Sequence, residues 1–366
     1  MKLRSTLLVL HRWVGVTTAT FIVIVAITGC ALIFENNIDR ALNPRTSYIT
    51  PGQRVLSDEA LVAAVTAAVP PNVKVTGLRF DPNPAFAWSA SLSNRTTAFV
   101  NPYTGEVLGM RNTQETGFAR WIHLVHTRLV AGENGERFVG WITVITLLMS
   151  LTGLYLWWPR KIVSVGRYRS WRRANFDLHS ALGFWASALM VVVTLSGVII
   201  AFERTLDPIV EKLGAAPRPN PAVMKSVPVS GAKPISLDEA VKIAEATLPG
   251  ASVTVMNVPA SATDIYRAFA KFPEDRTPAG RSHVFIDQFS GKVLFVDNTR
   301  TAPLGRKLLN MKRSLHTGDV LGLPTEILYF LGSFALAGQV VSGVLIWWKP
   351  KRAGARVAAR RQTSTA

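Results

Sequence analysis

Four of the six histidines in this 366-residue chain fall at matched positions in two copies of one pattern. The first copy opens with His11 and the second with His179. Glycine, glutamate and aspartate follow each at +18, +24 and +28, as Gly29, Glu35 and Asp39 and then as Gly197, Glu203 and Asp207. Each copy closes on a second matched histidine, in His126-Thr127 and His316-Thr317. A Trp-Trp pair begins 31 residues after each, at Trp157 and Trp347. Imidazoles brought face to face from two helices are what bis-histidine haem ligation requires. A lone histidine at a helix end near a membrane is more often an interfacial or capping residue. Here both positions persist while their neighbours differ between copies, and that favours ligation. His123 lies one helical turn before His126, and its counterpart is Arg313, so His123 is either an alternative ligand or a supporting residue. His283 falls in an external strand and reads as a core residue.

The elements that must hold these side chains are four long uncharged apolar runs, Trp13–Phe34, Phe138–Trp158, Ser180–Phe202 and Ile327–Trp348. Each has 21 to 23 residues, enough for a helix rising about 1.5 Å per residue to cross a hydrocarbon core of about 30 Å. The formal net charge of +18 does not point to nucleic acid. Residues 1–12, 159–176 and 349–366 hold 15 Lys and Arg and no Asp or Glu, while the remaining 26 basic residues nearly balance 23 acidic ones. Basic excess at the ends of membrane helices marks the cytoplasmic face. Both termini and the central loop are thus expected inside, and the two long segments between helices outside. Cys30, in Ile27-Thr28-Gly29-Cys30, looks like a lipoprotein cleavage site. The apolar run around it is too long for a signal-peptide core, and its counterpart is Val198.

The outside segments also match. Ser57 and Ser236 each cap a predicted amphipathic helix with acidic residues in its first turn. Short β-like runs follow: Val73–Phe80, Ala85–Leu92 and Thr96–Val100, then Ser252–Val258, Ile265–Phe272 and His283–Ile286. Each segment ends in a turn, Thr104-Gly105-Glu106-Val107 or Ser290-Gly291-Lys292-Val293. The expected fold is a four-transmembrane-helix bundle formed by internal duplication, with two small external α+β domains. Its divisions are a first helix over 1–40, an external domain over 41–115, and an interfacial helix with the second span over 116–160. A basic loop over 161–176 and the third span over 177–205 follow. A linker and second external domain take 206–303, an interfacial helix with the fourth span 304–350, and a basic tail 351–366. The copies are offset by 168 residues at the first histidine and 190 at the second, an excess that the proline-rich linker Pro217–Pro234 can absorb.

His126 lies too far from Trp158 for one straight helix. About 1.5 Å per residue would give a rod well beyond the bilayer. Breaks are expected at Gly132–Gly135 and at Gly318–Pro324, with His126 and His316 on short interfacial helices. A pseudo-twofold axis along the membrane normal would then face His11 toward His179 and His126 toward His316, giving two haems at different depths. Gly15 and Gly183, four residues after His11 and His179, could clear space for a flat macrocycle. The small pairs Thr28-Gly29, Thr152-Gly153, Ser196-Gly197 and Ser342-Gly343 read as helix-packing positions. Trp157-Trp158 and Trp347-Trp348 read as an interfacial aromatic belt. Arg12, Arg120, Arg128 and Arg313 could pair with propionates or anchor at headgroups. There is no Walker loop, GxGxxG, CxxC or CxxCH. The electron donor must therefore be another molecule, and covalent c-type attachment by that signature is excluded.

Several of these motifs together resemble the PepSY-associated transmembrane family over nearly the whole chain. They are His11-x3-Gly15, Ile122–Leu129 with its two histidines, Leu151–Pro159, Leu315-His316-Thr317-Gly318, Ser342–Trp348 and the Thr104-Gly105 and Ser290-Gly291 turns. The resemblance implies a multi-pass protein of the bacterial inner membrane with PepSY domains in the periplasm. The family's FoxB-like siderophore reductases further imply b-type haem and reduction of ferric siderophores. The function expected is a dihaem oxidoreductase carrying electrons from a quinol or a cytoplasmic reductase to a periplasmic ferric siderophore or other ferric chelate. Two haem b groups would be held by His11, His179, His126 and His316. The rival is a cofactor-free scaffold that presents PepSY domains to a partner. A repeat-built transporter is less consistent, because no span carries a mid-membrane proline or a buried acid and Gln339 is the most polar side chain deep in any of them.

Overall fold

The structure is a computed structural model that describes residues 2–112, 117–167, 170–212, 214, 223–228 and 231–348. The basic tail and part of the proline-rich linker lie outside the described residues. The first half runs α1 (Lys2–Ile33), α2 (Glu35–Leu42), α3 (Pro44–Ser47), α4 (Asp58–Ala67), β1 (Val75–Arg79), β2 (Trp88–Leu92), β3 (Thr97–Val100), β4 (Val107–Arg111), α5 (Phe118–Arg128) and α6 (Gly132–Trp157). The second runs α7 (Trp171–Ala201), α8 (Glu203–Lys212), α9 (Leu237–Thr247), β5 (Ser252–Asn257), β6 (Ile265–Lys271), β7 (Ser282–Asp287), β8 (Val293–Asp297), α10 (Leu304–Thr317) and α11 (Leu323–Trp348).

Among the described residues, four helices, α1, α6, α7 and α11, are long and apolar enough to cross a membrane. In hydrocarbon every backbone amide must be paired within its own helix, and the side-chain hydroxyls need partners too. Thr18, Thr28, Thr146, Thr194 and Ser196 meet that demand by donating to the carbonyl one turn back. The bundle follows the duplication. Within each half α1 packs on α6 and α7 on α11; across the halves α1 packs on α11 and α6 on α7. The helices also run past the apolar sequence. α1 starts at Lys2 and α7 at Trp171, so His11 and His179 sit within continuous helices rather than at their first turns.

The segments between the membrane helices do not form two separate domains. Among the described residues, all eight strands join one antiparallel sheet in the order β4-β3-β2-β1-β5-β6-β7-β8. The seam is the pairing of β1 with β5, its own repeat counterpart, at Gly77↔Asn257, Leu78↔Met256 and Arg79↔Val255. Each half alone would expose the first strand's edge, an open template for pairing, and each edge here closes the other. The hydrophobic core crosses the seam. Leu61 and Val65 of α4, Ala240 and Ala244 of α9, and Leu78 and Met256 of the two seam strands belong to one buried cluster.

Both helix caps form as the sequence suggests, Ser57 Oγ accepting from the Ala60 amide and Ser236 Oγ from the Glu239 amide. A further cap was not visible in the sequence. The Asp238 carboxylate of the second half accepts the Asp58 and Glu59 amides at 3.0 and 3.1 Å, closing the start of α4 from across the seam. That places a fixed negative charge beside Asp58. Burial first, and then the charges of Asp238 and Glu245, push the Asp58 carboxyl up to about 6.

A carboxyl whose folded pKa is raised holds its proton better folded than unfolded. Its contribution to stability is present below the unfolded pKa and is lost as pH rises through about 6. Asp58→Asn is therefore expected to raise the thermal midpoint at pH 7.5 and to leave it nearly unchanged at pH 4. A wild-type minus variant difference that does not vary between those pH values would contradict this account.

Candidate functional site

The short helices α5 and α10 set the second pair of histidines. α5 ends at Leu129, whose φ is +47°, and α6 starts only three residues later. The chain break thus precedes the expected Gly132–Gly135 stretch, which forms the first turn of α6. The tight reversal explains Gly135, where a Cβ would collide with the Arg128 carbonyl. α10 ends at Gly318 with φ +84°, where a Cβ would lie 2.6 Å from the Tyr329 ring.

Each of the four histidines is gripped by its Nδ1. His126 Nδ1 lies 2.9 Å from the Val25 carbonyl and His316 Nδ1 lies 2.9 Å from the Val193 carbonyl. Val25 and Val193 are repeat counterparts. His179 Nδ1 lies 2.9 Å from the Gln339 carbonyl. His11 Nδ1 lies 3.0 Å from Thr152 Oγ1, which itself donates to the Leu148 carbonyl and so accepts from the imidazole. A carbonyl only accepts, so Nδ1 carries the proton in each ring and Nε2 is left with a free lone pair.

Each imidazole also packs its Cε1 edge against a glycine. A Cβ on Gly29 would come 3.1 Å from His126 Cε1, and one on Gly197 would come 2.9 Å from His316 Cε1. The corresponding distances are 3.3 Å from Gly153 to His11 Cε1 and 3.1 Å from Gly343 to His179 Cε1. The four small-residue pairs read as helix-packing positions are thus histidine seats. Within each half the first membrane helix seats the histidine of the short helix, and the second membrane helix seats the histidine of the first.

Two chambers result. The sheet-distal one, about 750 Å3, is lined by His11, His179, Gly15, Gly183 and Arg12. The sheet-proximal one, about 860 Å3, is lined by His126, His316, His123, Arg120, Arg128 and Arg313. All eleven residues singled out from the sequence line one or the other. Ile22, Thr146, Met190 and Leu336 belong to both linings and form the wall between them. The Trp pairs divide their roles. Trp157 and Trp347 line the sheet-distal chamber, with Trp157 stacked on Phe184 at 4.3 Å, while Trp158 and Trp348 face outward as a belt would. His283 is buried in β7 beside Phe269 and Phe285, away from both chambers.

The His126 and His316 ring centroids are 6.1 Å apart, with planes tilted by 52°. Two imidazoles bound through metal–nitrogen bonds of about 2 Å on opposite sides of one metal atom put their centroids roughly 6 Å apart, at any rotation about the shared axis. Burial first, and the His316 imidazole second, bring His126 down to about 3, so it is neutral at physiological pH. The donor set is neutral imidazole with tautomers fixed by the scaffold, in chambers within the size range of cofactor pockets. These residues fit b-type haem. Among the described residues, no group of three or more His, Cys, Asp and Glu is placed to hold a bare metal ion.

Three of the acidic residues that recur with the histidines clamp the sheet-proximal end: Arg111 meets Asp39 through two 2.9 Å bonds, and Lys312 meets Asp207 at 2.8 Å and Glu203 at 3.0 Å. Arg128 meets Glu136 of α6 at 2.9 Å. The seats themselves went unread, although each is a glycine at a repeated position; a glycine marks close approach without naming what approaches. A family model described as the PepSY-associated TM region matches residues 8–349. No curated protein matches the chain.

A methyl group at Gly197 has nowhere to go except into His316 Cε1 and, at 3.2 Å, Thr143 Cγ2. Gly197→Ala is expected to destabilise the purified protein by about 1–3 kcal/mol through overpacking. Gly338→Ala, where the nearest atom to a new Cβ is 3.9 Å away, is expected to be neutral or mildly stabilising. Equal thermal midpoints for the two variants would remove the seat from the account.

Proposed function

The chain belongs to the PepSY-associated TM region family, and from that premise and the two chambers we propose that it is a dihaem membrane oxidoreductase reducing a ferric siderophore or other ferric chelate. The observation that carries the reading is the set of four Nδ1-gripped histidines, matched in pairs across two adjacent chambers. Haem b supplies reversible one-electron chemistry when bound. His11 and His179 would hold the sheet-distal haem, and His126 and His316 the sheet-proximal one. Donation from each Nδ1–H raises the basicity of Nε2 and fixes its direction, so the ligand geometry is set before the cofactor arrives. Apolar walls keep water from the ligands, and Ile22, Thr146, Met190 and Leu336 leave only a thin partition between chambers.

On this reading the sheet-distal chamber would face the cytoplasm and the sheet the periplasm of a bacterial inner membrane, an orientation that the basic segments support. One electron per iron would enter from a quinol or a cytoplasmic reductase and leave to a chelate docked beside the sheet. Reduction of Fe(III) to Fe(II) weakens binding by hard oxygen donors, and the chelate then releases its iron.

The purified protein is expected to show the α-band of b-type haem on dithionite reduction. Because each chamber has its own pair of ligands, His126→Ala and His316→Ala should each lose about half the haem, and the double variant should lose no more than either alone. His11→Ala should deplete the other half. A colourless wild-type protein, or full haem in all four single variants, would sink the reading.

A further inference from the structure

The two halves match at the histidines and differ around them, including at the rim of the sheet-proximal chamber. Arg120 stands opposite Asn310 in the repeat, Arg204 opposite Asn36, and His123 opposite Arg313. Duplication accounts for the positions that match. A rim that binds one asymmetric molecule has no reason to stay matched. Arg120, His123, Arg204 and Arg313 all line this chamber.

Their charges are incompletely balanced. Lys312 and Arg128 are committed to acids at 2.8–3.0 Å. Arg313 reaches Glu35 only at 4.0 Å and is largely exposed. Arg120 Nε is buried with no hydrogen-bond partner among the described residues, and a buried guanidinium donor without an acceptor is costly. The field here is positive enough to act on a neighbour: after burial, Arg120, Arg313 and Arg128 all push His123 below the ordinary histidine range. The sheet closes over the same cavity, since Arg281, just before β7, also lines it. A positive rim between the bundle and the sheet focuses anions into the chamber.

We infer that the sheet-proximal rim is a carboxylate-binding site, with Arg120, Arg313 and Arg204 as its cations and His123 as a hydrogen-bonding group among them. Guanidinium suits this task through its planar, two-pronged donation to carboxylate. Two sources present that group at this place: a propionate of a bound macrocycle, and a carboxylate of an anionic ferric chelate. The second deepens the reductase reading by naming the charge class of its substrate, and it rests on that reading.

The test uses citrate and ferric citrate as probes on the full-length protein, with Arg120→Gln, Arg313→Gln and their double variant, and Arg120→Lys as a charge-preserving control. Equilibrium dialysis of radiolabelled citrate is run first, since it needs no electron transfer and stands even if the wild type carries no haem. If the carboxylate comes from the chelate, each Gln variant weakens citrate binding about tenfold. It also raises the ferric citrate KM relative to that of a cationic ferric trihydroxamate, and Arg120→Lys recovers part of the loss. If it comes from the macrocycle, the Gln variants lose haem or shift its midpoint potential, and citrate binding does not move. Unchanged citrate affinity together with unchanged haem content and potential in the double variant would overturn the proposal.

Discussion

Everything at the centre of this protein depends on one hydrogen bond made four times, from a histidine Nδ1 to an acceptor on a neighbouring membrane helix. The acceptors are three backbone carbonyls and one threonine hydroxyl. Main-chain carbonyls in a membrane helix are normally consumed by the amide four residues on, but an oxygen has two lone pairs and can take a second donor. Reaching it requires the imidazole to lie against the helix backbone, and only a glycine leaves room for that approach. The glycine and the histidine are thus two halves of one device. Within a half the device works in both directions, so each pair of membrane helices is tied together at both of its ends.

Duplication then turns two ties into two chambers. A twofold relation between halves puts each histidine in one chamber with its own counterpart, and two histidine pairs arise without any further invention. The same relation governs the sheet, where β1 pairs with its counterpart β5. Symmetric contacts need only one surface to be self-complementary. Contacts to a single asymmetric molecule would escape this rule, and the rim positions Arg120, Arg204 and His123 do differ from their counterparts.

The spans, the caps at Ser57 and Ser236, and the grouping of the four histidines were legible because each rests on local spacing and on a pattern written twice. The fused sheet was not. Nothing in Val75–Arg79 or Ser252–Asn257 tells an edge strand from a paired one, since the seam is made by backbone groups that every residue type carries. The Asp238 cap on α4 failed for the same reason: it joins residues 180 apart, across a seam the sequence does not announce. The glycines showed where something must come close, yet a membrane helix offers neighbouring helices as the simplest answer. Only the geometry puts imidazoles there. The break before α6 was displaced because Leu129 and Val130 take positive φ without being glycine, a strain held by the reversal into Gly135.

The fusion of the sheet bears on the chambers. Two independent domains on tethers could sway without disturbing the bundle, whereas one sheet shared by both halves cannot. It is also fastened to the helices that carry the site. Asp39 of α2 takes a two-pronged bond from Arg111 of β4, and Arg40 of the same helix binds Asp81 at 2.9 Å just beyond β1. In the second half Arg306 of α10 is 5% exposed and binds Glu211 of α8 at 3.1 Å. Such pairs add little stability when exposed, but partly buried and two-pronged they fix orientation. The sheet is thus tied to the end of α1 through α2, while in the second half α8, which departs from the end of α7, is tied to α10, the helix that carries His316. Under the proposed function, a site presenting two imidazoles to one atom would need their separation held to a fraction of an ångström, which four single helices in a fluid bilayer would not provide alone.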